Sequence, residues 1–209
     1  MNPLNLLSSS LGRRDEVPNQ ELARSIVAKK NMEAVAELVA NLHNKNKAIQ
    51  SDCIKVIYEI GTLQPKMIAG YAKELIVLLE NKNNRLQWGA MTALHCITSE
   101  DPAVVHSALP KILLAADNGS VITNDHCVGI LVELCRIEEY SSRVFPLLIE
   151  RLNTCPVNQL PMYAEQALEV VTPANKDIFI RTLTGRLGKM EKESREKRLA
   201  AVVRKAGKK

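Results

Sequence analysis

The stretch Arg85–Pro102, RLQWGAMTALHCITSEDP, decides the fold. Its Leu86, Ala90, Ala93, Leu94 and Ile97 trace one face of a helix. Thirty-seven residues earlier the same face reads Ile49, Cys53, Val56, Ile57 and Ile60. One step forward it reads Thr123, Cys127, Ile130, Leu131 and Leu134, and a further step gives Leu160, Ala164, Ala167, Leu168 and Val171. The stop signal repeats too, since Pro65 and Pro102 stand 37 apart. A lone helix hairpin cannot bury its own apolar face, so a fixed period of this size predicts stacked hairpins sharing one core. The expected fold class is all-α, a right-handed α-α superhelix of about five antiparallel helix pairs.

Working outward, a second stripe accompanies each first one. Val35, Leu38, Val39 and Leu42 recur as Ala72, Leu75, Ile76 and Leu79, and again as Leu109, Ile112, Leu113 and Ala116. The next copy falls one residue early, at Phe145, Leu148, Ile149 and Leu152. The last, Ile180, Leu183 and Leu187, falls three early, which predicts a shorter turn at Pro173–Lys176. The first hairpin should run from about Asn19 to His43, with Asn31 as the N-cap of its second helix. Asn46, Asn83 and Ser120, three residues before each first stripe, offer side-chain oxygens to free backbone amides and read as N-caps.

These stripes divide the chain into an N-terminal arm or capping helix over residues 1–18, a repeat array over 19–190, and a basic C-terminal helix or tail over 191–209. Leu4, Leu7 and Leu11 have the spacing of a helix that covers the first apolar edge. Glu191–Arg195 and Glu193–Lys197 pair at i,i+4 in the tail, and Leu199, Val202, Val203 and Ala206 form a patch suited to capping the last hairpin. Fraying is expected at Gly207, Lys208 and Lys209.

With 46% hydrophobic but only 3% aromatic residues, aliphatic helix packing must supply the core. No Gly/Ser-rich or Pro-rich stretch divides the array. The five cysteines form no Cys-x-x-Cys pair, and Cys53 and Cys127 occupy small core slots, so a reducing, cytoplasmic setting is expected. No segment reads as a signal peptide or reaches the roughly 20 apolar residues of a membrane span, and no membrane partner is expected. The formal net charge of +5 is uneven, because residues 181–209 hold eleven Lys/Arg against three Glu. The remainder is slightly acidic, and nucleic acid is the alternative partner, through the basic tail.

The repeats resemble HEAT repeats, whose first helix commonly reads V-R-x-x-A-x-x-A-L. Leu86–Leu94 (LQWGAMTAL), Ile49–Ile57 (IQSDCIKVI) and Leu160–Leu168 (LPMYAEQAL) carry the resemblance, which covers about residues 19–190. It implies a scaffold and no single function. The family's arginine is replaced by Gln50, Gln87, Asn124 and Pro161, and its preceding Asp by Asn46, Asn83, Ser120 and Val157. The charge ladder between repeats is therefore missing.

Catalysis finds little support in the residues. HEAT-like di-iron hydroxylases use His-Glu dipeptides, whereas the four histidines here precede Asn44, Cys96, Ser107 and Cys127. His95 with Cys96, and His126 with Cys127, point about 100° apart on a helix, so neither pair chelates a metal locally. HEAT-like DNA glycosylases pair tryptophans with an acid on a basic face; this chain has one tryptophan, Trp88, and Thr92 where an acid would follow one turn on. No enzyme, cofactor or metal site is expected.

The expected function is protein–protein interaction with an unidentified partner. Trp88 and His95 lie nearly opposite the core stripe of their helix, with Met91 on the flank and Tyr58 equivalent in the preceding repeat. Such a cluster is either half-buried by neighbouring first helices or covered by a partner. On the second helices, Lys73, Glu74, Lys111, Arg143, Glu150 and Arg181 should point to an inner, concave side, where a segment of complementary charge could bind.

Overall fold

A computed structural model describes residues 2–190 and 192–209, and every regular element among them is helical. Glu191, and with it the pair expected with Arg195, lies outside the described residues. Short 3-10 turns at Pro3–Leu6 and Asn41–His43 flank a first hairpin of α1 (Val17–Lys29) and α2 (Met32–Ala40). Then follow α3 (Lys47–Leu63), α4 (Lys66–Ala69) and α5 (Ala72–Leu78), and the matching set α6 (Asn84–Ile97), α7 (Pro102–Ser107) and α8 (Leu109–Asp117). The chain continues through α9 (Val121–Cys135), α10 (Glu138–Thr154), α11 (Leu160–Leu168), α12 (Lys176–Leu187) and α13 (Glu193–Ala206).

The hairpins differ in one way from plain helix pairs. Two second helices, α5 and α8, are each preceded by a short helix of their own. At α8 the cause is Pro110, which lacks an N–H and opens a new helix after α7. Pro146, one residue off that register, is accommodated inside the longer α10.

The chain divides into two compact units, Met1–Cys127 and Val128–Lys209. In the first, α3 packs against both α1 and α6, and α5 against α6. Cys53, Val56, Ile57 and Ile60, with Leu86, Ala90, Ala93, Leu94 and Ile97, are fully buried. Only Ile49, at the start of its helix, is half-buried. The two helices approach closely because Gly89 has no side chain: a Cβ there would meet Ile54 Cγ1 at 2.6 Å.

The expected caps form. Asn31 accepts from the amide of Ala34, Asn46 from Ala48, Asn83 from Arg85 and Ser120 from Thr123. The missing arginine ladder has a replacement. Gln87 Nε2 donates to the Leu79 carbonyl at 2.9 Å, and 37 residues later Asn124 Nδ2 donates to the Ala116 carbonyl at 2.8 Å. Each amide clips a carbonyl at the end of the preceding second helix, where the Ala116 carbonyl also accepts from the Gly119 amide.

The N-terminal residues pack as a cover. Leu7 is fully buried, whereas Leu11 remains half exposed. Asn19 Oδ1 accepts from the Ser8 amide, Asp52 Oδ2 from the Ser9 amide, and Asn19 Nδ2 donates to Asp52 Oδ1 at 2.7 Å. All three bonds lie in or at the edge of the core, so a segment of 3-10 turns is fixed by polar contacts that a helical pattern does not predict.

In the second unit, α12 packs on α10 and α13, and α13 also packs on α11. Leu199, Val202 and Ala206 of α13 are buried and Val203 half-buried, so the apolar patch docks. The chain end differs from the expected fraying: Lys209 Nζ donates to the Leu168 carbonyl at 2.8 Å and the Val171 carbonyl at 3.1 Å. Arg186 does the same for α10, reaching the Leu152 and Cys155 carbonyls at 2.7 Å each. Phe179, which falls outside the expected stripe, is fully buried, and Ile180 is half-buried.

Candidate functional site

In the first unit, the first helices α3 and α6 bring the aromatic candidates together. The rings of Tyr58 and Trp88 stand 5.6 Å apart at a 50° tilt. Each carries a cation, Lys55 Nζ 4.8 Å from the Tyr58 centroid and the Arg85 guanidinium 5.7 Å from Trp88. Glu16 joins the two cations, at 2.8 Å from Lys55 and 2.6 Å from Arg85, and Glu59 lies 2.7 Å from Lys55.

This network fixes the protonation of its members. Hydrogen bonds from Lys55 and Arg85 hold the Glu16 carboxyl below its ordinary range against the upward push of burial. Burial pulls the Lys55 ammonium down, but hydrogen bonds to Glu16 and Glu59 outweigh it and leave Lys55 above the usual lysine range. The Tyr58 hydroxyl is raised, chiefly by burial. The result is a rigid step of two rings and two cations held by carboxylates.

The outward cluster needs correction at two members. Met91 is fully buried and Tyr58 is only 9% exposed, while Trp88 and His95 are half-buried. The close approach of α3 and α6 at Gly89 tucks the flanks of both helices inward. His95 takes another partner: its Nδ1 is 3.0 Å from Nδ1 of His126 on α9, with the rings 5.3 Å apart. One imidazole donates to the other, which requires at least one neutral ring. Burial first, and the facing His95 second, bring His126 down to about 4, with Asp125 opposing.

The charged candidates on the second helices are exposed. In the first unit these are Lys73, Glu74 and Lys111, with Lys111 Nζ 2.7 Å from Glu80. On the same second helices Val77 is 59% and Leu114 61% exposed, 37 residues apart. A shallow groove of about 190 Å³ is lined by Leu79, Glu80, Gln87, Lys111 and Leu114. In the second unit Arg143, Glu150 and Arg181 are likewise exposed.

The reading by residue type missed Glu16, Lys55, Arg85 and His126. Glu16 lies in the N-terminal segment outside the repeats, so no periodicity could point to it. Burial pushes the Cys53 and Cys135 thiols up to about 12 each, away from the reactive thiolate form. Among the described residues no three His, Cys, Asp or Glu side chains converge as metal ligands, and no helix is long and apolar enough to cross a membrane.

No protein-family model matches the chain, and no curated protein does. Solved structures do. A designed armadillo repeat protein in complex with the peptide (KR)4 superposes with a TM-score of 0.67 at 16% identity, covering 90% of this chain and 86% of its own. A computationally designed armadillo repeat protein for modular peptide recognition gives 0.66 at 16% identity, over 97% and 98%. An engineered protein gives 0.65 at 17% identity, over 100% and 98%. Together with the helices and their period, these matches make the fold of this chain a HEAT/armadillo-like helical-repeat solenoid.

Proposed function

We propose that this chain is a non-enzymatic, cytoplasmic scaffold that binds an extended segment of a partner protein, with the α3–α6 step as the principal contact. The observation that carries this reading is the half-buried Trp88, packed at a tilt against Tyr58, with Arg85 and Lys55 beside the two rings joined through one carboxylate. A rigid aromatic side chain with a wet edge offers large contact area at small entropic cost, which is why such residues anchor interfaces. The designed neighbours supply the analogy, since one is solved with a peptide and another is made for peptide recognition. The exposed Lys73, Glu74, Lys111, Arg143, Glu150 and Arg181 would then select among partners by charge rather than supply the main affinity.

The test is capture of the native complex with tagged wild type and with Trp88→Ala, both verified to be folded by thermal melting. A partner retained by wild type and lost from a folded Trp88→Ala supports the assignment. Equal capture by both removes Trp88 from the interface, and a chain that purifies alone and turns over a small molecule defeats the scaffold reading.

A further inference from the structure

The cations of α12 and α13 are only partly used by the fold. Arg186 caps α10, Arg198 pairs with Glu165 at 2.5 Å, Lys197 pairs with Glu193 at 2.7 Å, and Lys209 caps α11. Lys205 faces Glu165 at longer range. Arg181, Lys189, Arg204 and Lys208 are exposed and make no ion pair among the described residues. Arg181 and Lys189 border a groove of about 350 Å³ between α10 and α12 that also exposes Asn153 and Thr182, and no carboxylate lines it. Gly185, at the centre of the α12 side, leaves that groove open, since a Cβ there would meet nothing within 4 Å. Arg204 and Lys208 line a second recess, of about 440 Å³, on α13.

We propose that these two basic surfaces at α12 and α13 bind the phosphate backbone of duplex nucleic acid, an activity separate from the Trp88 contact at α3–α6 and sharing with the protein-binding reading only Arg181. Charge complementarity favours this: residues 181–209 hold eleven Lys/Arg against three Glu, while residues 1–180 are slightly acidic. The packing of α12 and α13 discriminates among polyanions. A membrane-surface helix needs a free apolar face, but that of α13 is spent, with Leu199, Val202 and Ala206 buried against α11 and α12. Single strands are gripped by stacking on exposed rings, yet Phe179, the only aromatic residue of α12 and α13, is fully buried. A duplex, read through its phosphates alone, needs neither.

Because the basic helices are docked, the cations can be removed without unfolding the site. Fluorescence anisotropy with a 30-base-pair duplex would be compared for wild type and the quadruple variant Arg181→Gln, Lys189→Gln, Arg204→Gln, Lys208→Gln. Four neutralised phosphates should give a log–log salt slope near −3.6, so affinity falls on the order of a hundredfold between 50 and 200 mM salt. The variant should keep the wild-type melting temperature and lose both the affinity and most of the slope. A single strand of equal length, anionic vesicles and polyglutamate should bind more weakly than the duplex. No duplex binding at 50 mM salt, undiminished binding by the folded variant, or tighter binding of any of those three competitors would overturn the proposal. Loss of partner capture in Trp88→Ala leaves this outcome untouched, so the two readings fail separately.

Discussion

Acidification should loosen the contact between α6 and α9 through one side chain. His126 is held down to about 4 against an ordinary value of 6.5, mainly because it is desolvated and secondarily because His95 faces it at 3.0 Å. Between those two values the unfolded chain binds a proton that the folded chain refuses, so stability rises with pH across that window and is lost as pH falls. That difference corresponds to at most about 3 kcal/mol, and partial solvent access to the ring lowers the expected loss to about 2 kcal/mol. The perturbation is His126→Gln, which keeps a hydrogen-bonding partner for His95 and cannot titrate. Urea unfolding of both proteins at steps from pH 7.5 to 4 supplies the stability curves. Glu16 and Glu165, both lowered by their cationic partners, also lose stability on acidification, but below the ordinary carboxylate value and equally in both proteins. Their difference therefore isolates the histidine. The variant should lose about 2 kcal/mol less than wild type between pH 7 and 4; parallel curves would refute a neutral, desolvated His126.

Three packing predictions follow from other contacts. Gly89→Ala places a Cβ 2.6 Å from Ile54 Cγ1 and should cost about 1–2 kcal/mol despite the better helix propensity of alanine. In combination with Ile54→Ala, whose own cost is about 2–5 kcal/mol, the total should fall short of the sum, and strict additivity in chemical denaturation would place the two residues apart. Gln87→Ala and Asn124→Ala each remove one amide clip and should lower stability by about 0.5–1.5 kcal/mol; a thermal scan with no shift for either would deny the clips a role. Leu199→Ala, in the fully buried docking face of α13, should cost about 2–5 kcal/mol, whereas a solvated tail would tolerate it unchanged.

The fold was legible because burial repeats where chemistry does not. Cys53, Ala90, Cys127 and Ala164 share a register and are all fully buried, although two are thiols and two are methyl groups. What the wheel could not supply was stagger. The period locates equivalent residues, yet the pairs that touch are separated by 30 for Tyr58 and Trp88, 31 for His95 and His126, and 35 for Ile54 and Gly89. Neighbouring first helices are offset along their axes, so a 37-residue shift names the wrong neighbour, and His126 escaped notice as the partner of His95. The same limit explains Met91: a single-helix wheel puts it on a flank, but whether a flank is wet depends on how near the next helix comes, and Gly89 sets that distance. Leu11 marks the opposite failure, since helical spacing in the N-terminal segment did not become a helix once Asn19 and Asp52 claimed the Ser8 and Ser9 amides.

Hydrogen exchange on the captured complex tests the scaffold reading most directly, because it locates the partner without altering the chain. Amides of α3 and α6 around Tyr58, Trp88 and His95 should exchange more slowly in the complex than in the free protein, with α11, which carries none of the candidate contacts, unchanged. Protection confined to α10–α13, or no protection anywhere on α3 and α6, would contradict it.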